Sequence, residues 1–65
     1  MKNRIKELRL RLNLSQKDLA DMVSVNKQSL SNWETEKQIP SVRYAILLAR
    51  SLCTDIETLF NSDEV

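Results

Sequence analysis

A chain of 65 residues supports one hydrophobic core and one domain, residues 1–65, and is too small to wrap a pocket around paired catalytic carboxylates. Apolar residues make up 42%, with one Trp, one Tyr and one Phe. The core is therefore built from Leu, Ile, Val and Ala, a set that favours helices, and the longest apolar run, residues 44–49, falls far below the roughly 20 residues of a membrane span. The net charge of +1 hides an asymmetry, because every Lys and Arg lies at or before Arg50, whereas Asp55, Glu57, Asp63 and Glu64 follow with no basic residue.

In chain order, Ile5, Leu8 and Leu12 fall at i, i+3 and i+7, so residues 2–12 read as an amphipathic helix whose inner stripe is those three residues. Asn13 ends it, since Asn tolerates the left-handed conformation. Ser15 reads as the N-cap of a short second helix, with Asp18 three residues on and Leu19, Ala20 and Val23 as its apolar set. Residues 24–26 form a tight turn. Asn26 then caps a third helix running to about Glu36, with Leu30 and Trp33 on its inner face and mostly polar residues outside. Pro40 and Ser41 mark the start of a largely buried fourth helix, residues 42–52, through Ala45, Leu48, Ala49 and Leu52. Thr54 or Asp55 caps a fifth, whose apolar face is Ile56, Leu59 and Phe60, and residues 62–65 are expected to fray. The fold class is all-α: five short helices and no strand.

The informative stretch is residues 15–40, SQKDLADMVSVNKQSLSNWETEKQIP. Two short helices joined by so tight a turn cross at about 90–120°. The first needs a small residue at the contact and the second must plug apolar side chains between them, roles that Ala20, Val25, Leu30 and Trp33 fit. That leaves Lys27, Gln28, Ser29 and Asn32 outside, near the start of the third helix. All four donate hydrogen bonds and none is acidic. In the DNA major groove Gln and Asn bond adenine at two points, Lys suits guanine and Ser is permissive. A polar outer face is ordinary for any exposed helix, and a solvated surface explains the charge distribution as well as DNA does; the placement directly after a tight turn favours DNA.

The chain resembles the phage-repressor and Cro type of helix-turn-helix protein, the xenobiotic-response-element family. The likeness runs through Leu8-Arg9, Leu14-Ser15-Gln16, Leu19-Ala20, Val25, Leu30-Ser31, Trp33-Glu34, Pro40, Ala49, Leu52 and Leu59-Phe60, nearly the whole chain. It implies a compact five-helix, lambda-repressor-like domain with the helix-turn-helix at about residues 16–35. It also implies a sequence-specific transcriptional regulator, a repressor, that binds a near-palindromic operator in double-stranded DNA as a homodimer. Lys27, Gln28 and Asn32 become the main base readers. Gln16 opens the second helix and bonds a phosphate or a base-reading side chain; Ser29 and Asn26 touch bases or backbone; Thr35 and Lys37 sit over phosphates, with Lys17 and Arg43 as weaker contacts of that kind. Arg9 and Glu34 become a partly buried, bidentate salt bridge, and Trp33 a core residue. Positions 24, 36 and 53, commonly glycine in the family, are Ser24, Glu36 and Cys53 here.

Exposed parts of the fourth and fifth helices, with Ile56 and Phe60, are the expected dimer surface. A second reading is a protein-interaction module, such as an antitoxin or co-regulator, that holds a protein partner with the same fold; the absence of acidic residues on the outer third-helix face counts against it. An enzyme is the third. With no histidine, no glycine and one cysteine, the chain offers no familiar zinc site, thiol triad or glycine-rich phosphate loop, so no metal and no cofactor are expected. Cys53 reads as a small semi-buried residue ending the fourth helix. With no charged-then-apolar leader and no span, the expected location is the cytoplasm, on the nucleoid, with no membrane.

Overall fold

In a computed structural model, which describes residues 3–60, the chain forms five helices and no strand among the described residues. They are α1 (Ile5–Arg11), α2 (Gln16–Met22), α3 (Lys27–Glu34), α4 (Val42–Ser51) and α5 (Ile56–Phe60). The segment expected to fray, residues 62–65, lies outside the described residues.

Local chemistry sets where the helices start. Ser15 and Asp18 form a capping box: the Asp18 N–H donates to Ser15 Oγ at 2.9 Å and the Ser15 N–H donates to Asp18 Oδ2 at 3.0 Å. Asn26 caps α3 by accepting the Ser29 N–H at 2.7 Å, and Asp55 caps α5 by accepting the Thr58 N–H at 2.7 Å. Ser41 occupies the N-cap of α4 without making a side-chain cap bond. These exposed carboxylates are tuned by the same contacts: the Ser15 backbone N–H and hydroxyl hold Asp18 below the ordinary aspartate range, and the Thr58 N–H and hydroxyl do so for Asp55.

The first four helices all stop in one way. Asn13, Ser24, Glu36 and Cys53 have φ of 59°, 61°, 66° and 58°. After each, the next N–H reaches back to the last turn: Leu14 to Arg9 O, Val25 to Ala20 O, Lys37 to Asn32 O and Thr54 to Ala49 O, at 2.9–3.1 Å. Each left-handed residue in turn donates to the carbonyl three back, which completes a Schellman motif. Glycine suits that position because it has no Cβ, and this chain uses none. Three non-Asn side chains therefore sit in a region that costs about 1–2 kcal/mol each. The third motif ends α3 at Glu34, two residues before the expected stop.

The core gathers Ile5, Leu19, Ala20, Val23, Leu30, Trp33, Leu48, Ala49, Leu52 and Leu59, with Leu8, Leu14, Val25, Tyr44, Leu47 and Phe60 packed around it. Trp33 and Tyr44 meet with ring centroids 5.5 Å apart and planes tilted by 39°, joining α3 to α4.

The first helix departs from expectation. It begins at Ile5 because Asn3 Oδ1 accepts the Ile5 N–H at 3.1 Å and so fixes the first turn there. Leu12, expected on the core stripe, is 43% exposed, and the buried position on that side of α1 goes to Arg9. Leu12 is the C-cap, where the chain already turns away from the helical register. Cys53, expected semi-buried, is exposed, since the left-handed residue after α4 sits on the outside of the turn.

Candidate nucleic-acid interface

Four elements fix the orientation of α3. At its C-terminal end Arg9 Nε donates to Glu34 Oε2 at 2.7 Å and Nη2 donates to Oε1 at 3.3 Å. Nη1 donates to the Leu14 carbonyl at 2.8 Å. Both side chains are sealed, at 8% and 2% exposure, so the planar guanidinium satisfies the carboxylate at two points where water does not. Gln16, the first residue of α2, donates from Nε2 to Glu34 Oε1 at 3.0 Å. One carboxylate on α3 thus gathers α1 and the start of α2, and the loop between them is tied in through Arg9. On the other side, Asn3 Nδ2 donates to the Trp33 carbonyl at 2.9 Å, the Asn3 N–H donates to Glu36 Oε2 at 3.1 Å, and the Arg4 N–H donates to the Leu59 carbonyl at 2.9 Å.

Held in this way, α3 turns Lys27 and Gln28 fully outward, with Ser29 and Asn32 half-buried beside them. Gln28 Nε2 donates to Asn32 Oδ1 at 3.1 Å, and Asn32 Nδ2 donates to Gln38 Oε1 at 3.4 Å. Gln38 is absent from the sequence-derived set. Its distance of six residues from Asn32 matches no helical spacing, and only the left-handed turn at Glu36 brings it back.

The remaining residues occupy different surroundings. Asn26 spends its side-chain oxygen on the α3 cap. Gln16 is half-buried and donates to Glu34. Lys17 is exposed and pairs with Asp21 one turn on, at 3.0 Å, and the hydrogen bond and charge of Asp21 raise its pKa. Thr35 is exposed, with Oγ1 donating back to the Ser31 carbonyl at 2.9 Å. Lys37 follows α3 in the exposed loop, and Arg43 is exposed in the first turn of α4.

A sequence profile described as helix-turn-helix matches residues 5–59. The chain belongs to this helix-turn-helix family, of the Cro/C1 type. Relatives include an uncharacterised HTH-type transcriptional regulator of Archaeoglobus fulgidus, 38% identical over 64 residues that cover 98% of this chain and 90% of that protein. A second is the uncharacterised regulator YgzD of Bacillus subtilis, 33% identical with 98% and 97% covered. Among solved structures, the P22 c2 repressor in complex with a synthetic operator superposes with a TM-score of 0.87 at 28% identity, covering 92% of this chain and 91% of that one. SinR in complex with DNA gives 0.82 at 30% identity, covering 89% and 94%. SinR in complex with SinI gives 0.84 at 30%, covering 91% of this chain and 58% of that one.

In this helix-turn-helix protein α2 and α3 are the two helices of the motif, and the fold is the lambda-repressor-like fold of DNA-binding transcriptional regulators. Among the described residues no helix is long and apolar enough to cross a membrane, and no group of three His, Cys, Asp or Glu side chains is placed to hold a metal ion. A second surface stands out for its exposed apolar side chains. Ile39 and Val42 are 73% and 75% exposed, and with Pro40, Ala45, Ile56 and Phe60 they line an open groove of about 190 Å³ between the start of α4 and α5. Ile56 and Phe60 were legible in the sequence as part of the apolar face of α5 and as candidates for a dimer contact. Ile39 and Val42 were not, since they fall in a loop and at a helix start whose outward direction depends on how α4 docks.

Proposed function

We propose that this protein is a sequence-specific transcriptional repressor that binds a near-palindromic operator as a homodimer, each copy presenting α3 to the major groove. The observation that carries the reading is the outer face of α3. Lys27, Gln28, Ser29 and Asn32 form a continuous donor-bearing surface at the start of a capped helix, and the buried Arg9–Glu34 pair holds that helix rigidly against the body. The P22 c2 repressor and SinR, both solved with DNA, share the fold and support the same use of it here. Lys27, Gln28 and Asn32 read base edges, assisted by Ser29. Lys37, Thr35, Arg43, Lys17 and Asn26 contact or position the backbone, and Gln16, at the start of α2, bonds a phosphate or an adjacent base-reading side chain.

Dimerisation follows from reach. The described residues span 32 × 22 × 19 Å, so one copy covers one half-site, and a helix that reads only a few base pairs gains specificity when a second copy occupies the next major groove about 34 Å along. The groove lined by Val42, Ile56 and Phe60 supplies an apolar contact surface for that second copy. The test is selection of bound duplexes from a random-sequence pool by the purified protein at moderate salt. Recovery of a two-fold palindrome with half-sites about one helical turn apart supports the proposal; a pool with no enriched sequence overturns it.

The same apolar groove favours one alternative, a module that seats a protein partner there; one structural relative, SinR, of whose chain this protein covers 58%, has been solved in complex with SinI. Under that reading the protein remains monomeric at micromolar concentration and selects no sequence.

A further inference from the structure

The structure carries an extension of the reading face that lies outside α3. Three side-chain amides run in series, from Gln28 to Asn32 at 3.1 Å and from Asn32 to Gln38 at 3.4 Å. In this arrangement the donors run one way along the series. Gln28 donates to the Asn32 oxygen, so that oxygen lies on the side of Gln28, and the Asn32 nitrogen donates to Gln38, so it lies on the side of Gln38.

An asparagine amide has two acceptor sites on its oxygen and two N–H donors. The series uses one of each. One acceptor site and one N–H of Asn32 stay available, which is the pair that bonds adenine at N6 and N7. Turning the amide over would exchange donor and acceptor and abolish that match. Gln28 and Gln38 are amides themselves and can bond it either way over, so what the two bonds restrain is the position of the Asn32 side chain between them.

The position of Gln38 is itself built. Glu36 adopts φ 66°, and the Lys37 and Gln38 N–H groups both donate to the Asn32 carbonyl, at 2.9 and 3.3 Å. Asn3 holds the Glu36 carboxylate from the far side at 3.1 Å. On the following residues, Ile39 and Pro40 face the apolar groove.

We infer that Gln38 is a specificity-determining positioning residue: it restrains the Asn32 side chain where the loop returns to α3, and through it the base that Asn32 accepts. This rests on the DNA-reading function proposed above. The test is the random-duplex selection repeated with the full chain carrying Gln38→Ala, Gln38→Glu or Asn32→Ala, with thermal unfolding of each as a check on folding. Gln38→Ala is expected to relax preference at the same base pair as Asn32→Ala, by about three- to tenfold, with other positions and the salt dependence unchanged. Gln38→Glu keeps the acceptor that Asn32 needs, so it is expected to retain the preference while lowering affinity for every sequence through charge repulsion with phosphates. Relaxation at a shared position that Gln38→Glu restores is a result that a purely structural role of the loop would not give. If Asn32→Ala relaxes a position and Gln38→Ala leaves it as in the parent protein, the inference is overturned and Asn32 stands as a reader alone. If the parent protein enriches no sequence at all, the proposed function fails first, and this inference with it.

Discussion

Arg9 and Glu34, 25 residues apart, meet through a 2.7 Å charged hydrogen bond in a site where their side chains are only 8% and 2% exposed. Each helix of the motif is held by that contact, α3 through Glu34 itself and α2 through the Gln16 bond to the same carboxylate. A pair this deeply sealed costs much to break, because the surviving charge keeps its desolvation penalty without its partner. Arg9→Ala is expected to lose about 3–5 kcal/mol. For a small domain whose whole stability is of the order of 5 kcal/mol, that leaves a largely unfolded chain at ambient temperature. The double replacement Arg9→Met with Glu34→Leu removes both charges and is expected to recover most of the loss. Urea unfolding of the three proteins decides; a double variant as unstable as the single one would show that the pair is more than a balanced burial of charge.

The left-handed residues give a prediction of opposite sign. Ser24→Gly and Cys53→Gly relieve a Cβ conflict at φ 61° and 58°, offset in part by the greater freedom of glycine in the unfolded chain. Each is expected to stabilise the domain by roughly 0.5–1 kcal/mol, a rise in melting midpoint of a few degrees. Glu36→Gly is expected to gain less, since it also removes the acceptor of the Asn3 N–H. Differential scanning calorimetry separates the three.

Acid should weaken the fold through its caps. Asp18 and Asp55 are held below the ordinary aspartate range by the N–H and hydroxyl groups they accept from. Their folded-state pKa values lie below the unfolded ones, so the stabilisation they bring is present above about pH 4 and disappears as pH falls through the lowered values. Lys17 has the reverse sign: its pKa is raised by Asp21, so that pair's contribution is lost only as pH rises past the ordinary lysine range. Melting midpoints at pH 7 and pH 2.5 are expected to differ less for Asp18→Asn and Asp55→Asn than for the parent protein. An unchanged difference would show that the caps do not govern acid sensitivity.

Affinity and base preference should separate by residue. With about six phosphates contacted, the log–log salt slope is expected near −5. Lys37→Ala should flatten that slope by about one and leave the selected sequence unchanged, whereas Gln28→Ala should relax base preference at constant slope. Filter binding across a salt series together with duplex selection checks both, and identical effects from the two substitutions would sink this division of labour.

The apolar groove predicts an assembly defect without a folding defect. Val42 is 75% exposed, so Val42→Glu should leave the melting midpoint within about 0.5 kcal/mol of the parent. In sedimentation it should shift a dimer towards monomer, and operator affinity should fall accordingly. A Val42→Glu protein that still sediments as the parent does would place the dimer contact elsewhere.

The sequence by itself determined which segments are helical and, to within about three residues, where they begin and end. Ser15 with Asp18, Asn26 and Asp55 announce three helix starts, because a cap is an interaction across three residues. Asn13 announces a left-handed stop for the same local reason. Leu19, Leu30, Leu48 and Leu59 are legible as core from their spacing. Tertiary packing alone decided what lies between the elements. Nothing in the spacing of α1 makes Leu12 solvent-facing while Arg9 is buried, since that depends on a carboxylate delivered by α3. Asn3 clasping Trp33 and Glu36, Gln38 returning to Asn32, and Ile39 and Val42 opening a groove against α5 each require contacts across a turn or between distant segments. Short-range chemistry is written in neighbouring residues, whereas the partners of a side chain across the core exist only once the helices have docked.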